Sequence, residues 1–322
     1  MNFLRKRILT YLIVLAVVVN LDFILPRIAP GNAAQILVSD YSNPGLQSKL
    51  LEQRFGLDQP VIVQYYLYLK NIFATWPPNF GISFQFFPAQ VNGLIAQRIG
   101  WTILLILASL AFSIFIAYVL AGISSLRRGG KAELSSTYGS ILLNATPVYW
   151  TGLILIWLFA VDLHWFPIFG AFDLGTKSTL SYVASVLWHG VLPVIALSTS
   201  VVGEIYLILR GTTQEVMKSD YVIAASLRGL RPRILAQKYI LRNSLLPVVA
   251  LLSFSLAGLI SRAVLVEAVF GYAGLGDLLV DGIFNRDYPV LQGTLFVLTV
   301  IIIIGGIVGD LVLVRLDPRL RK

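Results

Sequence analysis

An all-α integral membrane protein with six transmembrane helices is what this 322-residue sequence predicts, and three observations predict it. Hydrophobic residues make up 57% of the chain and charged residues 13%, with a mean hydropathy of +0.79, whereas a soluble domain carries about 25% charge. No charged residue occurs between Arg98 and Arg127, between Glu133 and Asp162 or between Lys177 and Glu204, and each gap exceeds the ~20 apolar residues that cross a hydrocarbon core. The 25 Lys and Arg residues crowd into alternate connections. Cysteine is absent and histidine is limited to His164 and His189, which excludes a disulfide scaffold, a thiolate metal site and a cysteine nucleophile.

The first expected span, 8–25, follows Arg5, Lys6 and Arg7. A cleaved leader opens the same way, but the apolar stretch resumes after Asp22 with Phe23, Ile24 and Leu25, longer than a leader core requires. The run therefore reads as a retained span. Residues 27–100 form a long outer segment between spans 1 and 2, too long for a mere turn. It is dense in aromatics, among them Tyr65, Tyr68, Trp76, Phe80, Phe84 and Phe87, which suits an interfacial belt with a small core or a docking surface. Spans 102–124 and 139–161 follow, with Pro147 able to kink the latter. The connection to span 187–209 carries Trp165, Pro167 and Phe169, and His189 reads as a satisfied interfacial imidazole.

Two further spans, 245–266 and 289–314, are interrupted only by Arg262 and Asp310. Between them Glu267, Asp277, Asp281 and Asp287 face a single Arg286 and read as a solvated acidic rim. Basic residues concentrate at 5–7, 127–131, 210–242 and 315–322, so the positive-inside rule places those stretches, and both termini, in the cytoplasm. The chain is then one transmembrane domain, 1–322, in a plasma membrane, and its charge needs no nucleic-acid partner.

The cytoplasmic connection 210–244 is the most informative stretch. Ser219 or Asp220 can cap a short helix running to Arg228, and Gly229 supplies the left-handed backbone that commonly ends one. Pro232 fits the first turn of a second helix, where its missing N–H costs nothing. Ala224 and Ala225 allow another backbone to approach closely, while Leu227 and Leu230 offer apolar contact near the bend. By composition alone an interfacial amphipathic anchor fits equally well.

Residue by residue, this loop resembles the cytoplasmic signature loop of binding-protein-dependent ABC importer permeases. The matching positions are Asp220-Tyr221-Val222, Ala224, Ala225, Gly229 and Asn243-Ser244-Leu245-Leu246-Pro247. Ile223 stands where that loop usually carries its glutamate. The resemblance extends along the chain to the oligopeptide and dipeptide permease branch, and to its first permease subunit. It is carried in order by Arg27-Ile28-Ala29-Pro30-Gly31-Asn32, Phe55-Gly56-Leu57-Asp58-Gln59-Pro60, Gly81-Ile82-Ser83, Pro147-Val148-Tyr149-Trp150, Trp165-Phe166-Pro167, Glu267-Ala268-Val269-Phe270, Gly274-Leu275-Gly276, Arg286-Asp287-Tyr288-Pro289 and Asp317-Pro318-Arg319.

The resemblance implies a non-catalytic pore subunit of an ATP-driven importer in a bacterial or archaeal plasma membrane. Its implied partners are two ATP-binding subunits, a sister permease and an extracytoplasmic solute-binding protein. It makes Asp220, Ala224, Ala225, Leu227, Gly229 and Leu230 the contact with the ATPase, and it implies oligopeptides, or similar solutes such as oligosaccharides, as cargo. No cofactor is implied. The chain has no phosphate-binding loop of its own, because Gly129-Gly130-Lys131-Ala132 lacks both the hydroxyl and the earlier glycine.

Ionisable residues inside spans are costly and mark function by default. Glu204 and Arg262 are the substrate-path candidates. Glu204 also suits a helix pair or the inner headgroups, and Arg262 suits snorkelling to the outer interface. Were they pathway residues of a self-contained channel or ion-coupled carrier, no motor subunit would be needed.

Overall fold

The structure, a computed structural model, describes residues 2–28, 53, 56, 58–126, 130–173, 175, 178–231 and 234–316. Residues 29–32, 317–319 and Pro232, which carry parts of the sequence reading above, lie outside the described residues. The described chain is helical, with one isolated bridge between Ile82 and Gln90. The helices are α1 (Asn2–Ile28), α2 (Val61–Phe73), α3 (Val91–Leu126), α4 (Lys131–Ala145), α5 (Val148–Leu155, continued by a π-helical segment Ile156–Asp162), α6 (Thr179–Val216), α7 (Asp220–Leu227), α8 (Arg242–Phe270, preceded by a π-helical segment Leu235–Leu241), α9 (Leu275–Phe284) and α10 (Tyr288–Leu316). Among the described residues four helices are long and apolar enough to cross a membrane, or up to six if each of two bent pairs is one span. The bent pairs are Lys131–Ala145 with Val148–Asp162, and Ala257–Phe270 with Leu275–Phe284.

The stretch 139–161, expected as a single crossing, turns by 101° between α4 and α5. The cause is local. Pro147 has no N–H to donate back into α4, and the residue before a proline is driven out of the helical region; Thr146 accordingly adopts ψ 126.

Two compact units divide the chain, residues 1–100 with 273–303 and residues 101–272 with 304–322. In the first unit α1 and α2 pack through Val19, Ile72 and Phe296, all under 10% exposed, with Tyr68, Leu69 and Phe80 around them. Phe23 meets Tyr65 edge-on at 5.1 Å and Phe80 meets Phe296 at 5.5 Å. Many of the outer-segment aromatics thus build a core, while Trp76, at 94% exposure, stands out from it. Tyr68 donates its hydroxyl to the Val19 carbonyl at 3.2 Å. Burial pushes this phenol above its ordinary value, with Asp22 adding to the shift, so it stays a donor.

The expected solvated acidic rim is only partly solvated, with Asp277 and Asp281 half-exposed and the other two acids buried. Glu267 lies inside α8, and both it and Asp287 are fully buried. Asp277 pairs with Arg98 at 2.7 Å. Asp287 accepts the Ser83 hydroxyl, the Gln85 N–H at 3.0 Å and the Val290 N–H at 3.2 Å, tying the outer segment to the start of α10. Net charge per stretch cannot report this, because two of the three donors, Ser83 and Gln85, sit some two hundred residues upstream. Asp287→Ala is expected to strip the acceptor from all three donors and cost about 3 kcal/mol. Thermal unfolding of the detergent-solubilised protein and protease cleavage near residue 85 measure it; an unchanged melting temperature would contradict the account.

In the second unit α6 is the central post. A capping box opens it: the Ser178 hydroxyl accepts from the Ser181 N–H at 3.2 Å, and the Ser181 hydroxyl bonds back. Small residues let neighbouring helices come close. Ser198 donates to the Ser109 carbonyl of α3 at 3.1 Å, and Tyr206, wholly buried, meets the Ser124 hydroxyl at 2.8 Å and the Thr137 hydroxyl at 3.2 Å. His189 is buried, its Nδ1 2.9 Å from the Ser185 carbonyl and its Nε2 3.6 Å from Asp173.

Candidate functional site

The segment from α6 to α8 builds an exposed helix on a fixed mount. α6 stops at Val216, and the chain turns through Met217 and Lys218 into Ser219, whose ψ of 145 is that of an N-cap. Its hydroxyl bonds backwards to the Val216 carbonyl at 2.6 Å instead of capping α7, so the acidic Asp220 in the first turn supplies the favourable charge at that end. α7 spans eight residues and closes with Gly229 donating to the Ser226 carbonyl at 3.0 Å. Gly229 has φ +74, and a Cβ placed there would meet nothing within 4 Å. Glycine stands here for its backbone alone.

Burial separates the sequence-predicted contact residues. Asp220, Ala224 and Gly229 are exposed, Leu227 is 82% exposed and Leu230 half-buried. Ala225, by contrast, is 4% exposed alongside Val222. Ala225 faces its own chain and seats the helix, while Ala224, one residue earlier and about 100° round the helix, faces outward. The mount is the π-helical segment and the start of α8. Asn243 donates its side-chain amide to the Tyr221 hydroxyl at 3.1 Å and to the Tyr239 carbonyl at 2.8 Å. Ser244, fully buried, bonds the Ile240 carbonyl at 2.9 Å, and Thr212 of α6 reaches the Ser244 carbonyl at 3.2 Å. The Asp220-Tyr221 and Asn243-Ser244 strings of the sequence therefore form one bonded joint.

Above this joint the structure shows a link that the sequence reading missed. Glu133, at the start of α4, takes Arg210 of α6 at 2.9 Å through both Nε and Nη2, and Gln214 at 3.4 Å. All three donors converge on the Glu133 Oε1, and such charge-assisted bonds are stronger than neutral ones. The only local signal was one acid beside a basic patch.

The two intramembrane candidates come together. Arg262 of α8 approaches Glu204 of α6 to 4.0 Å, and its Nη1 also donates to the Ser200 carbonyl at 3.2 Å. The Arg262 side chain thus reaches towards α6. Both side chains stay partly exposed, 36% for Arg262 and 28% for Glu204. Among the described residues no group of three or more His, Asp or Glu is placed to hold a metal ion.

Comparison with known proteins gives a consistent result. Residues 113–322 match the family described as binding-protein-dependent transport system inner membrane component, and residues 1–106 match the N-terminal region of such membrane components. The oligopeptide transport system permease protein OppB of Haemophilus influenzae is 31% identical, with 100% of this chain and 99% of that protein covered. The oligopeptide transport system permease protein AppB of Bacillus subtilis is 29% identical over 98% of each. Among solved structures, a chain of the MetNI methionine ABC transporter in an inward-facing crystal form superposes with a TM-score of 0.56 at 16% identity, covering 70% of this chain and 96% of that one. That likeness is one of fold.

Proposed function

This chain belongs to the binding-protein-dependent transport system inner membrane component family, and from that premise we propose that it is a pore-forming permease subunit of an ATP-driven peptide importer. Its work is mechanical. ATP binding and hydrolysis take place on two partner subunits, a sister permease completes the pore, and a solute-binding protein delivers cargo from outside the plasma membrane of a bacterium or archaeon. Both termini and the 210–244 connection are cytoplasmic in this reading, with each bent helix pair crossing once to make six spans.

One observation carries the proposal: α7 is an exposed, largely apolar helix of eight residues, its Leu227 82% exposed, bolted at its back to α8 by Asn243. A large apolar side chain held out on a rigid mount suits a socket on another protein. Asp220, Ala224, Leu227, Gly229 and Leu230 form the contact face, and Ala225 the seat. A push on this face reaches α6 through Thr212 and reaches α4 through the Arg210–Glu133 pair. The Glu204–Arg262 pair, higher on the same two helices, is the element of the path that such a motion would open or close, since the cost of leaving either charge alone in a span opposes its separation.

Both relatives named above are oligopeptide permeases, which favours peptides over oligosaccharides as cargo. Affinity purification of the tagged chain from native membranes tests the reading. The expected result is copurification with ATP-binding subunits and a second permease, and peptide uptake by reconstituted vesicles only when ATP and the binding protein are supplied. Uptake by the chain alone along an ion gradient would instead establish a self-contained carrier.

A further inference from the structure

We propose that a cavity in the first unit binds the carboxylate end of a short peptide, an inference that rests on reading the chain as a peptide permease and names where cargo first meets it. The cavity has a volume of about 510 Å³, within the roughly 300–1,000 Å³ of small-molecule sites. It lies where α1 ends against α2 and the start of α10, lined by Arg27, Gln64, Tyr68, Phe80, Tyr288 and Gln292 among others.

Its chemistry is one-sided. Arg27 is its single cation, and no carboxylate occurs among the described lining residues. The guanidinium carbon sits 3.6 Å from the centroid of the Phe23 ring. Nη1 donates to the Phe23 carbonyl at 2.9 Å, and Nε and Nη2 share the Gln64 side-chain oxygen at 3.3 and 2.9 Å. Gln64 is itself held by the Gln59 carbonyl at 2.9 Å. Three of five guanidinium N–H groups are thus spent on fixing the fork, and the other two meet no acid among the described residues. A planar cation oriented in advance, with no counter-charge among the described residues, is built to take a carboxylate.

A second, independent feature lies in the same wall. Gln292 is only 9% exposed, and its Nε2 has no hydrogen-bond partner among the described residues. A buried donor left unbonded is costly, and a small turn of the side chain would bring it to a ligand carbonyl. Side-chain amides of Gln64, Asn71, Asn79, Gln90 and Gln292 border the cavity; each both donates and accepts, as a peptide main chain requires. Tyr68, Phe80 and Tyr288 offer ring faces to its side chains. One cation suits one terminal carboxylate.

Calorimetric titration of the assembled transporter in phosphatidylcholine nanodiscs tests the site, with tri-alanine and tri-alanine amide as probes. The free acid is expected to bind about 10- to 100-fold more tightly than the amide, the fold-change of a charge-assisted hydrogen bond. Arg27→Gln should erase that preference, and Gln292→Leu should weaken both probes while leaving the preference in place. Three results overturn the assignment: equal binding of acid and amide, a preference that survives Arg27→Gln, or loss of binding in phosphatidylglycerol nanodiscs, which would hand the cavity to a lipid headgroup. Acid binding that emerges only after Asp40→Asn with Glu52→Gln also overturns it, since an acid of the chain itself would then be the occupant. ATP-driven tri-alanine uptake, followed in parallel, reports on the transport reading separately: uptake without acid preference sinks the cavity alone, and preference without uptake sinks the transport reading alone.

Discussion

Gly203→Val is expected to prevent stable assembly of the second unit. A Cβ at position 203 would press into the Ser140 carbonyl oxygen of α4, with Asn144 Cβ at 3.1 Å and the Ser140 carbonyl carbon at 3.3 Å. Two of these obstacles are backbone atoms of a packed helix, so no side chain can rotate away to relieve them. α4 and α6 would have to separate. Overpacking alone costs about 1–3 kcal/mol, and separation would also loosen the Arg210–Glu133 pair and the Tyr206–Thr137 contact that bridge the same two helices. Monodisperse yield on size exclusion and the melting temperature should both fall sharply, with Gly203→Ala intermediate. Gly190→Ala and Gly211→Ala on the same helix, where a Cβ meets nothing within 4 Å, should match the parent protein. A Gly203→Val protein with parental yield and melting temperature would show that the helices do not cross there.

Gly229→Val should separate insertion from transport. A branched side chain at φ +74 forces the residue out of the left-handed region at a cost of about 1–2 kcal/mol, and the open space around it gives the backbone no reason to resist rearrangement. α7 would lose its stop and Leu227 its fixed direction. ATP-driven uptake is expected to drop about tenfold or more, as a ~1.4 kcal/mol shift in a coupling equilibrium allows. Membrane abundance and residual ATP hydrolysis by the proposed partner subunits should change little. Gly229→Asn, which tolerates this conformation, should retain most uptake. Parental uptake by the valine variant in reconstituted vesicles would remove the glycine from the coupling mechanism.

Much of this molecule was legible in the residue order because two of its signals are local. Charge-free stretches of membrane length mark helices without reference to any partner, and α3 and α6 lie over two of them. Gly229 was equally readable, because a left-handed helix stop is a property of one residue and its neighbours. The short helix from Asp220 followed from the same local logic, although Ser219 spends its hydroxyl on Val216 and not on the cap.

Other features depend on what lies across the fold. Ala224 and Ala225 are chemically identical neighbours, and only the π-helical segment behind α7 decides that one is exposed and the other buried. Asp287 belonged by composition to a solvated rim, yet donors from Ser83 and Gln85 make it the fully buried anchor of the outer segment. Glu204 and Arg262 were each a costly charge in an apolar run; their meeting at 4.0 Å is fixed by how α6 and α8 pack. The sequence by itself determined a helical membrane chain with a short glycine-ended helix between two of its long helices, because hydropathy and backbone conformation act over a few residues. Only the tertiary structure decided which charges pair, which apolar faces stay open and where a cavity remains, because those energies depend on distances between residues far apart along the chain.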